Sequence, residues 1–163
     1  KHWSPFELAN MCVEIKTSRG IAAQILRHRS FSFQEFSQRY SEADKLETVE
    51  LRTPAKKNRQ SSSEVIEEHE PNSLINLMMQ SSLDVYHQLI EGGVAKECAR
   101  MVLPLGTQTT MYMNGTVRSW IHYIQLRTEE NTQKEHRQVA LEIKKVFIEQ
   151  FPRISEALNW KKE

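Results

Sequence analysis

Residues 10–28 read Asn10-Met11-Cys12-Val13-Glu14-Ile15-Lys16-Thr17-Ser18-Arg19-Gly20-Ile21-Ala22-Ala23-Gln24-Ile25-Leu26-Arg27-His28. Met11, Val13 and Ile15 alternate with Asn10, Cys12, Glu14 and Lys16, the period of a strand buried on one face. Ser18 can then cap a helix whose apolar side is Ile21, Ala22, Ile25 and Leu26. Gln24, Arg27 and His28 fall at i, i+3 and i+4 and share a different face. A strand feeding a helix in this way predicts a mixed fold that carries its basic groups to one edge.

Those groups open a chemically dense segment, Arg27-His28-Arg29-Ser30-Phe31-Ser32-Phe33-Gln34-Glu35-Phe36-Ser37-Gln38-Arg39-Tyr40. Arginine forks bind phosphate or carboxylate bidentately, and interleaved aromatics can wall a flat ring against water. The net charge of the whole chain is only +1, so no global field recruits nucleic acid or an anionic membrane, and anion binding must be local.

The remaining pattern sets the fold class as α/β (α+β), with more helix than strand. The length of 163 residues and 39% hydrophobic content suit one domain, 1–163, with a real core. Residues 43–72, including Lys56-Lys57-Asn58-Arg59-Gln60 and then Glu64, Glu67, Glu68 and Glu70, read as a long polar surface loop. After Pro71, Asn72 or Ser73 opens a helix with a stripe of Leu74, Leu77, Met78, Val85, Leu89 and Ile90, stopped by Gly92-Gly93. A short helix from Val94 carries Cys98, Arg100 and Met101. A strand follows over 107–113, then a helix over 117–126 and a last helix from about Asn131 to just before Pro152.

Several chemistries are excluded or disfavoured. The five glycines form neither G-x-G-x-x-G nor a P-loop, so any bound nucleotide must be held by side chains. Cys12 and Cys98 read as reduced, partly buried thiols. Glu68-His69-Glu70 does not project together on a helix, and no metal site is expected. His87 and His136 read as surface residues. No long apolar run or signal-peptide order is seen, so the chain reads as cytoplasmic, with no membrane partner.

The segment Arg27-His28-Arg29, then seven residues, then Ser37 and Gln38-Arg39-Tyr40, resembles the signature of the flavin-dependent thymidylate synthases, the ThyX family. His2-Trp3-Ser4-Pro5-Phe6-Glu7 is similar to the family's H-x-[ST]-P-F-E segment. Ala99-Arg100-Met101-Val102-Leu103-Pro104 resembles its A-R-x-x-L-P block. Arg118, Leu126-Arg127-Thr128 and Gln133-Lys134-Glu135 resemble its closing block. Four motifs in family order cover most of the chain.

The resemblance implies a small, mostly antiparallel sheet with several long helices, and the conversion of dUMP to dTMP. Methylenetetrahydrofolate would give the carbon, FAD would carry reducing equivalents and NADPH would reload the flavin. Carried over residue by residue, Arg127 matches the arginine at the pyrimidine, and His2 matches a histidine on the folate and flavin side. Gln24, Arg27, Glu35, Ser37, Gln38, Arg39 and Arg100 match nucleotide-binding positions. Ser4, Arg27, His28, Arg29, Ser30, Thr116, Arg118 and His122 match flavin-binding positions, with Asn114 the alternative to Thr116. Homotetramers with sites shared between subunits are implied, and so is an N-terminal part of the family domain ahead of His2.

Ser37 beside Arg39 reads as a phosphate-binding hydroxyl rather than a nucleophile, since arginine is a poor general base. Two other readings remain open. A nucleotide or nucleic-acid binding module would show steep salt dependence and no yellow chromophore. An inactive truncated assembly subunit would fold and assemble yet bind FAD weakly.

Overall fold

The alternation in residues 10–16 is realised in β1 (Asn10–Ser18), which buries Met11, Ile15 and Thr17 and turns Asn10, Cys12, Glu14 and Lys16 to the outside. The computed structural model describes residues 2–58 and 61–160, so Arg59 and Gln60 of the predicted loop lie outside the described residues. A single turn of 3-10 helix, Ser4–Glu7, precedes β1. The Ser18 hydroxyl accepts a hydrogen bond from the Ile21 N–H at 3.3 Å and opens α1 (Arg19–Ile25), whose Ile21, Ala22 and Ile25 are buried. This helix stops one turn earlier than its periodicity predicts. Arg27 and His28 therefore lie beyond it, and the expectation that they share a helical face with Gln24 does not hold.

β2 (Ser32–Glu35) lies within the arginine-rich segment. The expected loop over 43–72 is in fact partly ordered: β3 (Arg52–Pro54) and β4 (Ser62–Val65) pair antiparallel, and α2 (His69–Glu91) begins inside it. The hairpin lacks apolar alternation because polar side chains stitch it. Arg52 Nε donates to Ser62 Oγ at 2.8 Å, and the Thr53 and Ser63 hydroxyls meet at 2.9 Å. Pro71 sits in the first turn of α2, where a missing N–H costs nothing, so the helix starts before it rather than after it.

The predicted stripe of α2 is corrected as well. Leu74, Leu77, Met78 and Val85 are between 44% and 63% exposed, whereas Met79, Leu83 and Tyr86 are buried. The helix is apolar on more than one side. The side that packs is the one where the small Ala43 and Ala99 admit Tyr86, with Leu89 and Ile90 partly covered.

Next come α3 (Lys96–Ala99) with a 3-10 turn over Arg100–Val102, and then β5 (Gln108–Thr116). α4 (Val117–Arg127), α5 (Lys134–Gln150) and α6 (Pro152–Ala157) complete the chain. The main sheet has the order β1-β5-β2. Its central pair is antiparallel: Arg19 N–H donates to Thr107 O at 2.9 Å near one end, and Val117 N–H to Ala9 O at 2.8 Å at the other. Cys12 and Cys98 are both free and exposed, not partly buried as expected; Cys12 lies on the outward face of β1.

By backbone proximity the chain divides into two compact units interleaved in sequence. One comprises Lys1–Val13, His28–Ser32 and Met113–Glu163, the other Glu14–Arg27 and Phe33–Tyr112. The arginine-rich segment is thus divided between them. In the first unit α4 contributes Val117, Trp120, Ile121, Tyr123 and Ile124 to the core, and the Trp120 Nε1–H donates to Met11 O at 2.8 Å. In the second, Met111 of β5 and Ile15, Ile21 and Ile25 are buried. Each such side chain taken from water contributes roughly 1.5–3 kcal/mol before entropy is counted.

Candidate functional site

In the first unit the site is built on α4. The Thr116 hydroxyl accepts from Ser119 N–H at 3.2 Å and caps this helix. Trp120, Tyr123 and Arg127 then project along one side at spacings of three and four. The Arg127 Nε–H donates to His28 Nε2 at 2.9 Å. An arginine can only donate, so His28 Nε2 carries no proton in this arrangement.

Burial pushes the His28 imidazole down from 6.5 to about 4, and the neighbouring charges of Arg127 and His122 add to the effect. His28 is thus neutral near pH 7, with its proton on Nδ1. It is not one of the cations that the Arg-His-Arg motif suggests. The Tyr123 ring meets it edge-on at 4.8 Å between centroids, and Phe31 stands at 6.4 Å. Phe31 in turn packs on Trp120 at 4.7 Å, and Gly115 is what admits it: a Cβ there would stand 2.4 Å from Phe31 Cδ1.

His136 is the largest departure from expectation. Read as a surface residue, it is only 1% exposed, and its Nε2 lies 3.0 Å from the Tyr123 hydroxyl. Burial first, then Arg127 and His28, lower its pKa from 6.5 to about 4. Burial raises the Tyr123 phenol, with Arg127 opposing, so the phenol keeps its proton. A signal for His136 was present: Ala140, Ile143 and Phe147 form the buried stripe of α5, and one turn back that stripe falls on His136. His87, the other histidine read as surface, is half-buried edge-on to Tyr86, 5.3 Å between centroids.

The other expected residues of this unit are more open. His2 precedes the 3-10 turn, Ser4 starts it, and both are exposed, as are Arg29 and Ser30 in the turn after His28. Arg118 and His122 are exposed on one face of α4, where Arg118 pairs with Glu7 at 2.8 Å. Thr116 is half-buried, and Asn114 is exposed.

The second unit holds a different set. Arg19, unremarked in the sequence, donates from Nη1 to Gln38 Oε1 at 2.9 Å and lies 3.8 Å from Glu35. The Thr109 hydroxyl also donates to Glu35, at 2.8 Å. These contacts bring Glu35 and Gln38 together and leave the buried Gln38 Nε2 without a partner among the described residues. The Ser37 hydroxyl accepts from Arg39 N–H at 3.3 Å, and Arg39 pairs with Glu97 at 3.3 Å. Gln24 and Arg100 are half-buried, and Arg27 is exposed.

The fold is α+β, with a neutral imidazole and Arg127 among aromatic rings in the first unit and a cluster of arginines, hydroxyls and amides in the second. A family model described as thymidylate synthase complementing protein matches residues 1–153. A probable flavin-dependent thymidylate synthase of Paramecium bursaria Chlorella virus 1 is 51% identical over 166 residues, covering 98% of this chain and 76% of its own length. A flavin-dependent thymidylate synthase of Synechocystis sp. is 49% identical over 162 residues, covering 98% of this chain and 75% of its own. The chain therefore belongs to the flavin-dependent thymidylate synthases, a family of enzymes.

Among the described residues, no helix is long and apolar enough to cross a membrane, and no three His, Cys, Asp or Glu side chains converge as a metal site would require.

Proposed function

We propose that this chain methylates dUMP to dTMP, with 5,10-methylenetetrahydrofolate as carbon donor, FAD as resident cofactor and NADPH as reductant. The kinship over the whole chain with flavin-dependent thymidylate synthases carries this reading. The residue chemistry agrees with it. In the first unit, Ser4, Arg29, Ser30, Arg118 and His122 are exposed donors suited to an anionic diphosphate and a ribose. Glu7, which would repel such a group, is already paired with Arg118. Bound there, the flavin would supply the reducing equivalents.

Arg127 is the residue assigned to the pyrimidine. A guanidinium held at Nε by a neutral imidazole keeps its charge uncompensated, and its terminal nitrogens can face a ring oxygen. Such a group stabilises negative charge as it develops when C5 becomes nucleophilic. Gln24, Arg27, Glu35, Ser37, Gln38, Arg39 and Arg100 would hold the deoxyribose phosphate and the base, with Arg19 and Thr109 fixing Gln38 and Glu35. His2 is assigned to the folate and flavin side. The enzyme works as a cytoplasmic homotetramer in this reading, and the outward apolar side of α2, with Leu74, Leu77, Met78 and Val85, offers a face for a second copy.

Incubation of the purified chain with FAD, NADPH, methylenetetrahydrofolate and dUMP tritiated at C5 tests the proposal. Tritium release to water together with dTMP is expected. A folded chain that gives neither, yet binds oligonucleotide with a steep salt dependence, would replace it with the binding-module reading.

A further inference from the structure

We propose that Tyr123 and His136 form a positioning pair, whose hydrogen bond fixes the aromatic wall holding His28 in the orientation that accepts from Arg127. This deepens, and rests on, the assignment of Arg127 to the pyrimidine.

Four contacts form a chain. His136 Nε2 and the Tyr123 hydroxyl are 3.0 Å apart. The Tyr123 ring meets His28 at 4.8 Å and 77°, and the His136 ring stands 6.2 Å from His28 at 84°. His28 Nε2 then receives the Arg127 Nε–H at 2.9 Å. Tyr123 and Arg127 are four apart on α4, so a rotation of the phenol disturbs both what faces His28 and the surface along which Arg127 extends.

A plain core role explains this poorly. The position of His136 continues the apolar stripe of Ala140, Ile143 and Phe147, where an aliphatic side chain would fill space without needing a partner. A buried imidazole and a buried phenol each carry a desolvation cost that their mutual hydrogen bond offsets. A satisfied polar pair of this kind favours one arrangement over the alternatives that an apolar contact would tolerate. Both groups are neutral near pH 7, so they orient Arg127 without competing for its charge. Phe31 closes the opposite part of the wall, edge-on to His28 at 87°.

The test uses the FAD-loaded enzyme and three variants: Tyr123→Phe, which removes only the hydroxyl, His136→Phe, and His136→Gln, whose carboxamide can still reach the phenol. Nitrogen-15 imidazole spectra of histidine-labelled protein give a readout independent of turnover. Wild-type His28 should appear as one tautomer, protonated at Nδ1 and bare at Nε2. In Tyr123→Phe and His136→Phe that signal should split or shift. Their kcat should fall about tenfold, while KM for dUMP and flavin content change less than about twofold. His136→Gln should restore most of the loss.

Unchanged His28 signals in Tyr123→Phe would overturn the proposal. So would losses in His136→Phe and His136→Gln that are equal and track thermal stability alone. If wild-type enzyme makes no dTMP, the assigned reaction fails, and the spectra still decide whether His136 sets the state of His28. If His136→Phe does not fold, Tyr123→Phe decides.

Discussion

Two polar clusters, each containing residues of the Arg27–Tyr40 segment, behave in opposite ways. Around Arg127, His28 and His136 are each pushed down to about 4, burial being the first cause, and Tyr123 is held as the phenol, so the Arg127 guanidinium lies beside neutral groups. Around Gln38, guanidinium and carboxylate groups lie in pairs: Arg19 with the half-buried Glu35, and Arg39 with Glu97, whose side chains are each more than half exposed. The segment mixes basic, acidic, hydroxyl and aromatic side chains, and burial rather than residue type keeps its His28 neutral. In the proposed function the difference has a consequence: an oriented cation beside neutral groups can act strongly on a developing charge, whereas exposed pairs contribute less.

The sharpest way to break this contrast is Arg127→Ala. Loss of a single preorganised donor costs about 10²–10³ in kcat where charge develops in the transition state. Tritium release and dTMP formation should both fall by that order, with flavin still bound, as absorbance of the desalted protein would report. Wild-type turnover in this variant would remove the activating role and leave the two clusters equivalent.

Gly115→Ala probes the wall without touching a polar group. Its methyl would stand 2.4 Å from Cδ1 and 2.6 Å from Cε1 of Phe31, so the ring must swing away from Trp120 and His28. Overpacking of this kind costs roughly 1–3 kcal/mol. Urea unfolding should show it as a lower midpoint at an unchanged slope, and an unchanged midpoint would mean that the wall is soft.

These residues also show what the sequence discloses. The alternation along β1 and the Ser18 cap follow from local pattern, and they appear where expected. The hairpin of β3 and β4 was hidden because hydroxyl and guanidinium contacts, not apolar alternation, hold it. The expected stripe of α2 holds at Leu89 and Ile90 but not at Leu74, Leu77, Met78 and Val85, because more than one side of the helix is apolar and packing against Ala43 and Ala99 selects Tyr86. The motif arginines were legible as site candidates, but their partners were not. Arg19, Tyr123 and His136 lie outside the motif residues that carry the resemblance, and only proximity in space reveals their contacts.

Acid titration separates the clusters more finely. The folded-state pKa of both His28 and His136 lies near 4, below the ordinary 6.5. Between those values the unfolded chain takes up protons that the folded chain refuses, so stability rises with pH across this window and is level above it. Falling pH should lower the unfolding midpoint from about pH 6.5 downward. A fully buried histidine gives at most about 1.4 kcal/mol per pH unit, and the half-buried His28 less. Removing His136 as His136→Phe should flatten the slope. A slope equal to that of the wild type would mean that the pair does not exclude protons.

The smallest expected effect lies in the exposed cluster. The Ser37 hydroxyl accepts from Arg39 N–H at 3.3 Å, a long contact that shapes the turn only weakly. A neutral hydroxyl donating to a ligand contributes about 0.5–1.5 kcal/mol, so Ser37→Ala should raise KM for dUMP roughly two- to tenfold. At saturating dUMP, turnover should be preserved, because recognition energy lost equally from bound substrate and transition state does not alter kcat. A steady-state dUMP titration distinguishes the cases. Complete loss of turnover at saturation would make Ser37 a participant in bond making and place the decisive chemistry in the screened cluster, reversing the contrast drawn from Arg127.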